Sequence, residues 1–324
     1  MMNRQQFLAT LMALPFAGHQ TAAARAPGPM RLVVGYVAGA TIDTLARQLA
    51  QRLAPELGRS VIVENRHGAG GRIANLAVKA APADGSTLLL TPSATMAIFP
   101  HSHAGTLGYD PLRDLVPIAH LCSFQTGLAV GSAVPVATLA EYCDWVRTDP
   151  GRRGFYASAA TGSTSHFVGM MLGRAEGLAL THVPYPGTAA AMRALVAGEI
   201  SALATGMGDL RTLARQGQAR VLAINGRERD PVLDGVPTFQ ELGYDLDSTS
   251  WYALFAPAGL AVSLVGQLGR AAVSAITDPA WRRDLIERGL QPTGLGPDAM
   301  AALLASDHQR WGQVIRATGF TASG

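Results

Sequence analysis

The chain has 324 residues, 48% of them apolar and 15% charged, with 36 glycines. That length and balance fit a folded α/β protein of two ordinary-sized lobes and exclude a disordered chain. A formal charge of +3 without any Lys/Arg cluster interleaved with aromatics gives nucleic acid no footprint. The first element in chain order is an export signal. Arg4 supplies its positive region, Phe7-Leu-Ala-Thr-Leu-Met-Ala-Leu14 its apolar core, and Thr21-Ala-Ala-Ala24 its small-residue site, so cleavage is expected near Ala24. The apolar run is too short to span a bilayer, and no later stretch reaches the roughly 20 apolar residues a membrane helix needs. Losing Arg4 lowers the formal charge from +3 to +2. Export implies an oxidising compartment, where Cys122 and Cys143 could pair. Cys122 sits in an apolar strand and Cys143 in a helix, which favours two buried free thiols.

Strands are expected at Arg31–Gly35, Ser60–Glu64, Thr87–Thr91, Gly127–Gly131, Gly154–Ala157, Thr181–Pro184, Ile200–Thr205, Arg220–Ile224 and Trp251–Ala256. Helices fall between them. Leu45, Leu49 and Leu53 recur four apart, Thr138-x-x-Glu141 forms a capping box, Asp278-Pro279 opens a helix that Gly289 closes, and Pro297-Asp298 opens the last, ending near Gly319. The alternation calls for parallel sheets with helices on both faces. Two apolar strands ending in Pro, Thr126–Pro135 and Ser250–Pro257, read as crossings between lobes. The first lobe is then discontinuous, residues 25–125 plus 251–324, and the second is 126–250.

Two loops carry the chemistry. The strand Leu32-Val-Val-Gly35 ends in small residues, Tyr36-Val-Ala-Gly39-Ala-Thr41, and turns directly into a helix, so backbone N–H groups face outward with little side chain over them. That is anion-binding geometry. Ala157-Ser158-Ala-Ala-Thr161-Gly162-Ser163-Thr-Ser165-His166 repeats it after the strand Gly154-Phe-Tyr156. Facing each other, the two would make a pocket for a carboxylate.

Competing readings share these residues. Ser163, Ser165 and His166 invite a secreted Ser/His hydrolase, but no Gly-x-Ser-x-Gly elbow is present and no third residue is evident to orient the base. His101-x-His103 has no third ligand nearby to make a metal site and reads as a loop with two exposed imidazoles. Gly68-Ala-Gly70-Gly71 approximates a dinucleotide fingerprint, yet no acid-ended strand follows at the required distance, and the glycines read as a tight turn. Asp43, in the first helical turn, suits either a structural cap or ligand contact. Trp251 and Tyr252 read as hinge packing in preference to stacking on a solute.

The chain resembles the periplasmic solute receptors of tripartite tricarboxylate transporters, the Bug or TctC-like proteins, over nearly its whole mature length. The resemblance rests on Arg31-Leu-Val-Val34, Gly39-x-x-x-Asp43-x-Leu-Ala-Arg47, Val63-Glu-Asn65-Arg-x-Gly68-Ala-Gly-Gly71, Asp84-Gly-x-Thr87-Leu-Leu-Leu90, Tyr156-Ala-Ser158-x-x-x-Gly162-Ser163-x-Ser165-His166, His182-Val-Pro-Tyr185-x-Gly187 and Trp251-x-x-Leu-Phe255-Ala-Pro-Ala-Gly259. It implies a two-lobed periplasmic binding protein, type II-like, with parallel or mixed sheets, helices on both faces and two crossings. It further implies that one carboxylate of the solute is held, partly through waters, by Tyr36, Val37, Ala38, Gly39, Thr41 and Asp43 on one side and by Ser158, Thr161, Gly162, Ser163 and His166 on the other. The variable end of the ligand would meet Ser93, Ala94, Thr95, Tyr185, Thr205 and Gly206. The implied function is capture of a small organic carboxylate by a monomer that delivers it to membrane permease subunits, with no catalysis, cofactor or metal. A carboxylate sensor for a membrane kinase is the remaining alternative beside the hydrolase. Two departures matter: Val37-Ala-Gly-Ala40 replaces the family's Pro-Pro-Gly-Gly, and neutral Thr205 stands where a family Asp is frequent, which makes a simple carboxylate the expected ligand over an amino acid.

Overall fold

The computed structural model describes residues 28–185, 187–246 and 249–321. The export signal and its cleavage position lie outside them. The strands are β1 (Met30–Val34), β2 (Val61–Asn65), β3 (Thr87–Pro92), β4 (Leu115–Phe124), β5 (Thr126–Gly131), β6 (Phe155–Ser158), β7 (Thr181–His182), β8 (Ala202–Gly206), β9 (Ala219–Ile224), β10 (Ser250–Pro257) and β11 (Leu290–Leu295). The helices are α1 (Thr41–Leu57), α2 (Arg72–Lys79), α3 (Phe99–Ser102), α4 (Leu139–Thr148), α5 (Pro150–Arg153), α6 (Thr164–Glu176), α7 (Thr188–Ala197), α8 (Met207–Arg215), α9 (Val262–Thr277), α10 (Pro279–Glu287) and α11 (Pro297–Thr318).

These strands form two sheets, β11-β4-β10-β3-β1-β2 and β7-β6-β8-β5-β9. Each is built the same way. Three parallel strands joined through helices lie side by side, and an antiparallel strand arriving from the other sheet, after the three in chain order in the first sheet and before them in the second, lies between the third of them and a further strand. That inserted strand is β10 in the first sheet and β5 in the second. Both sheets are therefore mixed: a strand that enters from outside the sheet is not bound to the parallel direction that a helical crossover imposes. The chain leaves the first sheet at Phe124, enters the second at Thr126 and returns at Ser250.

Burial explains which segments became strands. Val34 of β1 pairs with Asn65 and Leu90, so the carboxyl ends of β1, β2 and β3 align at one edge of the sheet. Leu45, Leu49 and Leu53 bury one face of α1 against that sheet, in a core shared with α9 and Trp281. The opposite face is covered by α2, α11 and the turn of π-helix at Ala94–Ile98. Two further cores sandwich the second sheet. Thr138 caps α4 by accepting from the Glu141 N–H, as its spacing predicts, and Gly319 closes α11 in the left-handed region.

Two strands are absent from the expected set. Cys122 is rightly placed in a strand, but the ten-residue β4 around it goes unbounded because Pro117, His120 and Ser123 interrupt its apolar run. Edge strand β11 carries Pro292 and Gly294, which read as a turn. Both cysteines are free and buried, Cys122 in the first sheet's core and Cys143 in a core of the second. Burial pushes the Cys143 thiol up to about 11. Trp251 is core, its Nε1–H donating to Asp307 at 2.6 Å, and Tyr252 stacks on Phe124 at 4.6 Å.

Candidate functional site

The first loop leaves β1 through Gly35, where a Cβ would lie 2.6 Å from the Gly71 Cα. Only glycine permits that approach, which accounts for the glycine-rich Gly68–Gly71 segment without a dinucleotide. Tyr36 is pinned at both ends: its carbonyl accepts from Asn65 Nδ2 at 3.0 Å and its hydroxyl donates to the Gly70 carbonyl at 3.3 Å. Burial pushes that hydroxyl up to about 12. Beyond it, Val37, Ala38, Gly39 and Thr41 are exposed.

Asp43 braces this loop, the structural alternative of its two sequence readings. Its Oδ2 accepts from the Gly39 N–H and from Arg47 Nε, both at 2.9 Å, and its Oδ1 accepts from Asn65 Nδ2 at 2.8 Å. Burial raises the carboxyl, but the bonds from Arg47, Gly39 and Asn65 more than reverse that and hold it below the ordinary carboxylate value. Oδ2 thus accepts two bonds and Oδ1 one, which fixes the carboxylate against the loop.

The second loop uses a neutral version of the same device. The Gly162 N–H donates to His166 Nδ1 at 3.0 Å, four residues ahead as in Gly39 and Asp43. His166 must therefore carry its proton on Nε2. Burial, helped by His182 at a ring separation of 4.1 Å, pushes His166 down to about 3, and burial pushes His182 down to about 4. Ser163 is the N-cap of α6, accepting from the His166 N–H at 3.3 Å and donating to the Ala160 carbonyl at 2.6 Å. Gly162 N–H and Ser163 N–H are thus satisfied within the loop, the latter by Ala160 O at 3.1 Å. Gly162 is buried and left-handed, with φ +74°.

At each loop's end the helix keeps free donors. The N–H groups of Thr41 and Ile42 in α1, and of Thr164 and Ser165 in α6, have no acceptor among the described residues. Phe99 packs between the Gly68–Gly71 turn and the second loop, since Cβ atoms at Gly70 and at Gly162 would lie 2.9 and 3.4 Å from its ring. Phe167, just inside α6, is fully buried in the first sheet's core against Trp311 and Phe320, with ring separations of 5.2 and 5.1 Å.

The other expected contacts differ in their surroundings. Thr95 is fully buried, its hydroxyl bonded to Thr91 and to the Pro92 carbonyl. Ser93 is 1% exposed, and its hydroxyl has no partner among the described residues. Tyr185 directs its hydroxyl to Glu199 at 3.3 Å. Ser158 meets His182 Nε2 at 2.8 Å and donates to the Ala160 carbonyl at 3.1 Å. The expectation of two exposed imidazoles at His101 and His103 is also corrected: both are half-buried, His101 bonding the His308 carbonyl at 2.8 Å and His103 packing on Phe99 at 4.6 Å.

Of the serine–histidine combinations, Ser158 Oγ lies 2.8 Å from His182 Nε2, whereas His166 Nδ1 is occupied by a backbone donor and Ser163 caps α6; no carboxylate bonds to His182 or His166 among the described residues.

Asp209 and Asn65 were missed from the sequence. Thr205 donates to Asp209 Oδ2 at 2.9 Å, one helical turn away, a pairing visible only once the end of β8 and the start of α8 are fixed.

Comparison with known proteins gives the geometry its context. A family model described as tripartite tricarboxylate transporter family receptor matches residues 45–320. The BugT protein of Bordetella pertussis is 31% identical over 292 residues, covering 90% of this chain and 89% of its own. A solved R. palustris protein with adipate superposes with TM-score 0.84 at 30% identity, covering 91% of this chain and 99% of its own. MatC of Rhodopseudomonas palustris, with bound malate, superposes with TM-score 0.80 at 29% identity, covering 89% and 99%. With a family model spanning most of its length and the two-sheet framework matched throughout, the chain belongs to the tripartite tricarboxylate transporter receptor family, a family of periplasmic solute-binding proteins.

Proposed function

We propose that this receptor is exported by cleavage near Ala24, captures a small organic carboxylate between its two loops, and delivers it as a monomer to the permease subunits of its transporter. The observation that carries this is the pair of braced loops. Each spends its glycine N–H on a side chain four residues ahead, and each leaves the first N–H groups of a long helix unclaimed. Helix N-termini hold an anion through backbone dipoles, and solvent bridges extend that reach. Relatives with adipate and with malate support a carboxylate as the anion. The lobes, 25–125 plus 251–324 and 126–250, move about the crossings beside Gln125 and Ser250, and binding is accompanied by no covalent chemistry.

Titration calorimetry against mono-, di- and tricarboxylates, run beside a generic ester assay, tests the reading. Stoichiometric binding without turnover is expected, with a ligand at 100-fold its Kd stabilising the fold by about 2.7 kcal/mol. Ester turnover dependent on Ser163 or Ser158, or no binding anywhere in the panel, contradicts it.

A further inference from the structure

A cavity of about 290 Å³ opens between the two halves, lined by Gly39, Thr41, Thr44 and Gln48 on one side and by Gly208, Asp209 and Thr212 on the other. It is continuous with the exposed tip of the first loop, and its size is at the low end of small-molecule sites. Asp209 is the unusual group in it. The carboxylate is half-buried, its Oδ2 is held by Thr205 at 2.9 Å, and its Oδ1 has no partner among the described residues. Tyr252 and Tyr36 lie near enough that the Tyr252 hydroxyl is raised by burial first, then by Tyr36, Cys122 and Asp209.

The charged neighbours do not neutralise Asp209. Arg211, also lining the cavity, is committed to Asp230 at 2.5 Å and to the Ile286 carbonyl at 2.7 Å. Arg288 is paired with Asp284 at 2.9 Å, and Arg215 and Glu287 are exposed at the rim. Burial raises the Asp209 carboxyl above its ordinary value, and the Thr205 hydroxyl works against that. Asp209 lies in the first turn of α8, whose dipole offsets part of its desolvation, but no cation is paired with it among the described residues and Oδ1 stays open.

The geometry points to Asp209 as a specificity-determining residue that accepts the ammonium group of a ligand whose carboxylate is held by the loops, making the favoured solutes aminocarboxylates. This rests on the carboxylate-receptor reading and narrows it. A second ligand carboxylate would meet a like charge, whereas an ammonium gains a charge-assisted bond to Oδ1. The neutral residue Thr205 argued against an amino group at this wall; the structure shows Thr205 presenting a carboxylate one turn further on.

The test is calorimetry with ligands matched in chain length: adipate against ε-aminocaproate and succinate against γ-aminobutyrate. Wild-type protein is expected to favour the amino member of at least one pair by roughly tenfold or more. Asp209→Asn, which preserves shape and the Thr205 bond, is expected to abolish or invert that preference while thermal melting without ligand confirms its fold. Asp209→Ser serves if the Asn variant does not fold. A wild-type preference for the dicarboxylates, or an amino preference that survives either substitution, overturns the inference and leaves the receptor reading intact. Absence of binding across both series and the wider carboxylate panel overturns the receptor reading, and the inference falls with it.

Discussion

The loop after β1 and the loop after β6 solve one problem with opposite electrostatics. Both must hold a small-residue turn open at a helix N-terminus, and both do so by giving a glycine N–H to a side chain four residues ahead. In the first loop that side chain is the carboxylate of Asp43, and an anion beside an anion site needs compensation, which Arg47 and Asn65 supply. In the second it is the imidazole of His166, which brings no charge and needs no counter-ion but must stay unprotonated on Nδ1. The first brace therefore depends on a three-residue network, and the second depends on burial.

The largest expected effect comes from Gly162→Val. Its backbone has φ +74°, and a Cβ would press on Phe99 at 3.4 Å. A β-branched residue in the left-handed region costs roughly 1–3 kcal/mol before any clash, so loss of both stability and solute binding is expected by thermal melting and calorimetry. Intact binding would detach the second loop from the site.

Next is Asp43→Ala, which removes the acceptor of the Gly39 N–H and one of the two bonds of Asn65 Nδ2, whose other bond to the Tyr36 carbonyl remains. Roughly 1–2 kcal/mol of destabilisation is expected in urea unfolding, since Gly39 and Arg47 are exposed enough to recover hydration. A neutral outcome would favour the ligand-contact reading of Asp43.

Acid titration separates the two braces directly. The folded values of His166 and His182, about 3 and about 4, lie below the unfolded 6.5, so the unfolded chain binds protons first and stability falls as pH drops from about 6.5 towards 3. Asp43 is also depressed, but its contribution is lost only as pH falls below the ordinary value of 3.8. The second loop should thus weaken first, and His166→Gln should flatten the pH dependence of urea midpoints above pH 4. An unchanged slope would contradict the burial argument. The smallest effect is Ser163→Ala, which removes an N-cap worth about 1 kcal/mol and leaves the helix donors in place.

How far the sequence carried this picture depended on the range of each interaction. The strand-loop-helix turns at Tyr36–Thr41 and Ser158–His166 were legible because small residues, apolar runs and capping signals are local. The two-sheet framework was legible through ordered motifs spread along the chain. What stayed hidden was set by distant packing: the antiparallel insertion of β5 and β10, the placement of Phe167 in the other half's core, and the meeting of Ser158 with His182. Thr95 shows the same limit, because its neighbours in sequence do not reveal that Thr91 and Tyr109 enclose it. Asp209 is hidden in the same way, because its meeting with Thr205 depends on how the end of β8 turns into α8.

The most direct test of the account is a crystal structure with the tightest-binding carboxylate. It is expected to show one ligand carboxylate within hydrogen-bond reach, directly or through a single water, of N–H groups at the starts of both α1 and α6. A carboxylate bound wholly within one half, or seated in the groove of the second half lined by Met170, Arg174 and Leu180, would contradict it.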